Sequence, residues 1–567
     1  MVPTMVSCHN KNGPFSLGRS RNSERIYRAQ PQMRRRDFLK IVAAASVVPG
    51  QALGQGGHDL ALLNGRIITM DVERPEAEAV LVRNGRIVLV ASSNEVERVA
   101  EGARIFDAEK RVVIPGFVDT HVHFELTCLA REYQVPCHTP PHRSLRDILA
   151  ALAAKVAHTP TGQWVIGRGS FGLAGRIEEG RLANRHELDA ITTDHPLALF
   201  SGLHVAMLNT QALKSLGLWD RAQSPARGVF IDLEPSGLPS GIATEVWDLL
   251  PDYSVEEVRV ALRKHARDIF VSKGTTTIGT IPFSSNDLRA DQMLQASGEL
   301  PIRLRAYHHV PRSVSLSSLL DAGLVSGMGD SMFRFGGIKI FIDGIGFDAL
   351  GNVTDDSKRT QDELDEFVSS AHKAGIQLIM HALTTKGMLM AANAVEEAMR
   401  RDARPHRHRI EHGGGLLEHP EEFQRLKSLG ILPVVTPHFW LNGDDEVPRF
   451  RSMFEQGLQP IMVTDTTGTV PGSSAPLFNI ACSMLERKHG GAAPNAAETL
   501  TFEQALRMNT DWAARGIFED HEKGTITPGK LGDFAVLSKD PRTLDGAGLF
   551  DMGVDATILG GEVVFES

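Results

Sequence analysis

The chain has 567 residues, 42% hydrophobic and 23% charged, which excludes a disordered chain, a collagen and a coiled coil. That length leaves room for about two to four domains, or one large barrel with an appendage. A net charge of −9 argues against a nucleic-acid partner, four Cys cannot form a disulfide scaffold, and twenty-two His hint at metal chemistry.

Residues 1–54 hold nine Lys and Arg against Glu24 and Asp37, a surplus of seven, so the rest of the chain carries −16. Within them, residues 33–54 place a basic patch before the apolar run Ile41–Val48 and the small-residue end Ala52-Leu53-Gly54. That is the order of a secretory leader, and the run is far short of the ~20 residues that span a bilayer. Arg35-Arg36-Asp37-Phe38-Leu39-Lys40 resembles the twin-arginine export signal, with Arg34 where Ser or Thr is usual. A basic amphipathic start without an address is the plainer alternative. The expectation is a folded protein exported to the periplasm, translated from Met33, with no stable membrane anchor once mature.

Short strands follow. Asp59–Ile68 is broken by Asn64-Gly65 and Ala79–Val90 by Asn84-Gly85, and Asn-Gly between apolar runs reads as a hairpin. At the far end Asp533–Leu537 and Val554–Phe565 are strand-like, with Gly560-Gly561 as a turn. A composite β-sandwich is expected from residues 55–115 and 518–567. Between these, strands are expected at Val112–His121, Thr275–Ile281, Ile302–Tyr307, Gly337–Ile342, Ile376–His381, Arg407–Glu411, Ile431–Thr436 and Ile461–Asp465. Helical stretches such as Asp362–Ala374 and Thr385–Arg401 separate them. This is the pattern of an α/β fold, a (β/α)8 TIM-like barrel over residues 116–517. The long gap after the first strand, about residues 124–270, reads as an inserted subdomain over the barrel mouth.

His121 and His123 are two apart at the end of the first strand, so both imidazoles face one side and can share a metal. Catalytic groups of this fold sit at the strand C-termini. His381, His412 and Asp465 end later strands, and Lys339 lies inside the apolar run Gly337–Ile342. Each alone also reads as a satisfied core His, a strand-end cap or a snorkelling Lys. Their joint fall on strands one, four, five, six and eight argues for a site.

These motifs resemble the amidohydrolase superfamily, and within it amidohydrolase family 3, the YtcJ-like metal-dependent hydrolases. Val113–His123 matches the opening signature, and Gly529–Leu537 with Asp540-Pro541 the closing one. Trp164-Val165-Ile166-Gly167-Arg168-Gly169, His195-Pro196 running to His204 and Asn209, and Lys339 with Asp343-Gly344 match the subgroup. The resemblance covers residues 58–567. It implies a metal centre, usually zinc: His121 and His123 on the buried ion, His381 and His412 on a second, and a carboxylated Lys339 bridging them. Zinc takes N and O ligands, and two cations bring a bridging water's pKa towards neutral. Asp465 would ligate metal, accept the water's proton and pass it to the leaving nitrogen.

The sequence departs from the subgroup at Val463-Thr464 before Asp465, and at Thr384-Thr385-Lys386 where Gly-Asp-Arg is common. Lys386 lacks the bidentate reach of Arg. Lys386, His204 and His438 are the expected substrate contacts. His308-His309 ends strand three, which supplies no ligand in the family, and His406 and His408 are expected in a solvated loop away from the metals. Cys128 and Cys137 are close enough in sequence to pair, though nothing demands it. The reading is a metal-dependent hydrolase cleaving a non-peptide C–N bond, an amide or cyclic amide. The alternatives are a mononuclear heterocycle deaminase, against which Lys339 speaks, and a non-catalytic binding protein on the same fold. The expected partners are a small-molecule substrate and the twin-arginine export machinery, with a homo-oligomer left open.

Overall fold

The computed structural model describes residues 58–220, 229–343, 346–347, 353–354, 359–413, 420–441, 449–467, 472–485 and 496–567. The leader, its twin-arginine motif and Met33 lie outside the described residues. No helix among the described residues is long and apolar enough to cross a membrane.

Eight parallel strands make a nearly closed barrel: Phe117–Val122, Thr275–Thr280, Arg303–His309, Phe333–Phe341, Leu378–Ala382, Arg409–His412, Leu432–Val435 and Ile461–Met462, here numbered one to eight. They read as apolar runs because a parallel barrel buries both faces of each strand. The circle is drawn together where Asp465 N–H donates to His121 O (3.0 Å) and His123 N–H donates to Thr466 O (3.1 Å).

Most strand ends shift by a residue or two, strand four begins four residues early at Phe333, and strands one and eight differ in kind. The segment Val112–His121 is two strands, Val112–Pro115 and Phe117–Val122. Gly116 is the crossing point: its N–H donates to Asp533 O (2.9 Å), and a Cβ there would lie 2.3 Å from Thr276 Cγ2. Strand eight ends at Met462 rather than Asp465. Thr464 N–H turns to the Asp119 carboxylate (3.1 Å), and Asp465 takes a left-handed φ of 43°.

Strands from both chain ends build two further sheets. One runs Arg86–Ala91, Ala79–Arg83, Leu60–Leu63, Arg104–Asp107. The other runs Glu562–Glu566, Val554–Leu559, Phe534–Leu537, Val112–Pro115, Arg66–Ile68, Glu76–Ala77. Leu62, Val82 and Phe106 of the first share one buried cluster with Val113, Phe534 and Ile558 of the second. Asn84-Gly85 (φ 49° and 74°) and Gly560-Gly561 (φ 57° and 81°) are two-residue hairpin turns. Asn64-Gly65 is not. Leu60–Leu63 pairs with Ala79–Arg83 and Arg104–Asp107, whereas Arg66–Ile68 pairs with Glu76–Ala77 and Val112–Pro115. The positive φ of Asn64, 54°, therefore carries the chain from one sheet to the other.

Between strands one and two lies a six-stranded mixed sheet, ordered Ile231–Leu233, Pro239–Thr244, Val205–Leu208, Leu197–Ser201, Val165–Gly169, Val135–Cys137. Helices Phe124–Tyr133 and Val255–Ile269, placed in the insert by sequence, pack instead with barrel strands through Phe124, Leu262, Ile278 and Leu304. Cys128 sits in that core and Cys137 in the core of the six-stranded sheet, and both thiols are free.

Candidate metal centre

The strand exits converge on one cavity of about 60 Å³, lined by His121, His123, Lys339, His381, His412 and Asp465. Asp465 is the hub. Its Oδ1 lies 3.4 Å from both His121 Nε2 and His123 Nε2, and its Oδ2 is 3.9 Å from His412 Nε2. Donor atoms of His121, His123 and Asp465 all fall within 4.8 Å of one another. The His412 ring centroid is 4.9 Å from those of both His121 and His381.

Backbone geometry explains how neighbours reach one point. On a regular strand Glu411 and His412 would face opposite sides. His412 takes a φ of 68°, which turns its ring back into the cavity. Left-handed backbone at a residue with a side chain costs of order 1–3 kcal/mol, and such strain gathers at functional sites. His412 and Asp465 are both such residues.

Burial sets the protonation states. It pushes His121 down to about 4 and His381 and His412 well below the ordinary histidine value, so all three rings are neutral at working pH. Burial would raise Asp465, but the adjoining rings of His121, His123 and His412 outweigh it and hold the carboxyl well below its usual range. Lys339 is buried, which lowers it to about 8. Its Nζ lies 4.8 Å from the Phe341 ring centroid, and among the described residues no carboxylate is within ion-pair distance.

Glu411 and Arg409 complete the site, and sequence reading passed them over as strand residues. His121 Nδ1 donates to Glu411 Oε2 at 2.5 Å, leaving Nε2 unprotonated towards the cavity. Arg409 clamps that carboxylate (Nε to Oε1 2.9 Å, Nη2 to Oε2 3.0 Å) and also donates to Thr120 O (3.1 Å). The signal was available: two opposite charges two residues apart in a fully buried strand need each other.

The expected substrate contacts divide. His204 and His438 line the cavity. His204 Nδ1 donates to the buried Glu245 at 2.6 Å, and His438 Nδ1 lies 3.0 Å from Asn479 Oδ1. Lys386 is exposed on the first turn of Thr385–Arg401 and is not part of the lining. The backbone there is held the other way. The Asp343 carboxylate accepts Leu383 N–H (2.8 Å) and Thr384 N–H (2.9 Å), so close to Gly387 that a Cβ there would clash. His309 packs on Trp247 and Phe341, outside the cavity. His408 is away from the cavity as expected, but it is buried rather than solvated, bonded to His372 (Nε2 to Nδ1, 3.0 Å).

The donor set fits a metal ion. Among the described residues His123 Nδ1, His381 Nε2 and Asp465 Oδ1 are buried with no hydrogen-bond partner, a cost that native interiors avoid unless something else satisfies them. Neutral imidazoles and carboxylate oxygen are the donors zinc takes.

The amidohydrolase family model described as "Amidohydrolase family" matches residues 104–565. This chain belongs to the amidohydrolase family. The amidohydrolase is 26% identical over 544 residues to the N-substituted formamide deformylase of Arthrobacter pascens, covering 90% of this chain and 98% of that one. It is 26% identical over 550 residues to the putative amidohydrolase YtcJ of Bacillus subtilis, covering 88% and 98%. In fold it is similar to an uncharacterized metal-dependent hydrolase from Pyrococcus horikoshii, with a TM-score of 0.67, 20% identity, and 86% and 99% covered. Membership places the amidohydrolase among metal-dependent hydrolases of C–N bonds, with a small molecule as substrate.

Proposed function

We propose that this amidohydrolase cleaves the C–N bond of a small non-peptide amide or cyclic amide, using two zinc ions bridged by a carboxylated Lys339. The observation that carries this reading is the convergence of four histidines, Asp465 and a buried lysine, one that forms no ion pair among the described residues, on one cavity. A buried ammonium without a partner is costly. As a carbamate the same side chain is an anion with two oxygens, suited to bridge ions held by His121 and His123 on one side and His381 and His412 on the other. When bound, the metal supplies a Lewis acid for the scissile carbonyl and acidifies water. Asp465, kept ionised, accepts the proton of the attacking water and returns it to the departing nitrogen. Glu411 holds His121 in one tautomer. His204, steadied by Glu245, and His438 orient the substrate at the mouth. The formamide deformylase relative makes N-substituted formamides the first substrates to try.

The test is metal analysis of the purified chain with hydrolysis of a panel of N-substituted formamides, N-acyl amino acids and cyclic amides. Two metals per chain, falling in Lys339→Ala, and amide turnover support the reading. One metal with release of ammonia from a heterocycle would replace it with the deaminase, and no metal with the binding protein. The leader belongs to the same proposal. Export to the periplasm by the twin-arginine route predicts that Arg35→Lys with Arg36→Lys retains the protein in the cytoplasm on fractionation.

A further inference from the structure

Beside the metal cavity lies a second one of about 70 Å³ that shares Leu203 with it. Phe283, which stacks on His123 at 4.9 Å between centroids, is one of its walls. Leu126, Leu250 and Trp247 make the rest of the lining largely apolar. Arg168, only 2% exposed, also lines it. Its Nε donates to Gln134 Oε1 (3.1 Å) and its Nη1 to Gly202 O (3.1 Å), while Nη2 donates to no group among the described residues. No carboxylate among the described residues is within ion-pair distance of this guanidinium. Those that line the cavity are engaged elsewhere: Asp252 with Arg312 at 3.1 Å, and Asp287 Oδ2 with the N–H groups of Phe283 (3.0 Å) and Ser284 (2.9 Å).

A second donor stands beside it. Gln134 Nε2 donates to Tyr253 Oη (3.4 Å), which leaves the phenol's own proton for another acceptor. Burial raises Tyr253, so the proton stays on. One glutamine thus ties Arg168 and Tyr253 together as a donor pair, and among the described residues neither Arg168 Nη2 nor the Tyr253 hydroxyl proton has an acceptor. Pockets with apolar walls and a few convergent polar groups are where small ligands bind.

We infer that this cavity binds a small organic monocarboxylate with an aliphatic or aromatic body, its two oxygens taken by Arg168 Nη2 and the Tyr253 hydroxyl. Arg312 also lines the cavity but is paired with Asp248 (3.2 Å) and Asp252 (3.1 Å), so Arg168 is the lining cation with no carboxylate partner among the described residues; with one neutral donor it matches one negative charge, and the walls of Trp247, Phe283 and Leu126 suit an apolar body. The site is separate from the metal centre, so it does not depend on the proposed reaction.

Calorimetric titration of the full chain with phenylacetate and phenylacetamide tests it, with and without prior chelator treatment. The chelated chain is needed because a carboxylate also binds metals. The expected result is saturable 1:1 binding of phenylacetate, at least about ten-fold tighter than the amide. It persists after chelation and in His121→Ala. It weakens about ten-fold or more in Arg168→Gln and several-fold in Tyr253→Phe. Tyr253→Phe removes one hydroxyl only, and decides the matter alone if Arg168→Gln does not fold. Absent binding, equal affinity for acid and amide, undiminished binding in Tyr253→Phe, or loss on chelation overturns the inference.

Discussion

At the floor of the barrel, Arg305 of strand three donates to Glu519 (Nη2 to Oε2, 2.8 Å), and the same carboxylate meets Arg334 (2.9 Å) and Lys523 (2.6 Å). Arg303 reaches Asp533 with two bonds of 2.8 and 2.9 Å, tying the barrel to the closing signature. At the mouth, the exits of the same set of strands gather four histidines, a lysine that forms no ion pair among the described residues, and carboxylate and imidazole atoms with no hydrogen-bond partner among those residues. Both ends bury charge. The floor answers it with opposite charge from its own chain, so it contributes rigidity. The mouth holds polar atoms with no partner among the described residues, the arrangement expected of a binding site. A buried polar group close to several others is thus a site only where the chain has withheld its partner.

The largest test of that contrast is Asp465→Asn, expected to lower kcat about 10²- to 10⁴-fold, the usual range for losing a positioned acid–base group, with thermal unfolding little changed. A rate near that of the parent chain would remove Asp465 as the base. At the floor the effects should reverse. Glu519→Ala leaves buried cations unpaired and should cost about 3–5 kcal/mol in denaturant unfolding, while kcat per folded molecule is kept. Glu411→Gln probes the border between the two behaviours, since a charged pair there serves a ligand. Metal affinity should fall about 10- to 100-fold in competition with a chelator, and an unchanged affinity would make Glu411 a floor-type residue.

The smallest effect is on pH dependence. Burial lowers His406 to about 4 and His408 further from its ordinary value, so both are neutral when folded. Their stabilisation is complete above the unfolded value of about 6.5 and is lost as pH falls from there through about 4. Glu519 is held well below the usual carboxylate range because Lys523 and Arg305 outweigh its burial. Its contribution persists above about 4.3 and is lost only at lower pH. Urea midpoints should therefore fall in two stages on acidification, and His406→Phe should flatten only the first.

Much of this was legible beforehand, for stated reasons. The barrel strands showed because burial on both faces forces apolar composition, and the residues that line the cavity showed because polar side chains at the ends of such runs stand out. Asn84-Gly85 and Asn64-Gly65 look alike in sequence, yet one closes a hairpin and the other changes sheets. Local turn chemistry specifies the backbone conformation and leaves the strand partner to packing. Lys386 lies exposed on the turn whose backbone the Asp343 carboxylate holds from about forty residues away, a contact that sequence does not announce. Glu411 was overlooked because its meaning lies in His121, 290 residues away.

The sequence by itself determined the class of fold, the strand order and the ligand types, since hydrophobic period and residue chemistry are local properties. Only the tertiary structure decided which charges are answered and which are left open. It turned His412 inward through one left-handed residue, gave Glu411 to His121, and left Arg168 Nη2 and the Tyr253 hydroxyl beside a cavity without an acceptor among the described residues. The physical reason is that pairing and desolvation depend on distances of a few ångströms between residues far apart in the chain, and those distances exist only once the barrel has closed.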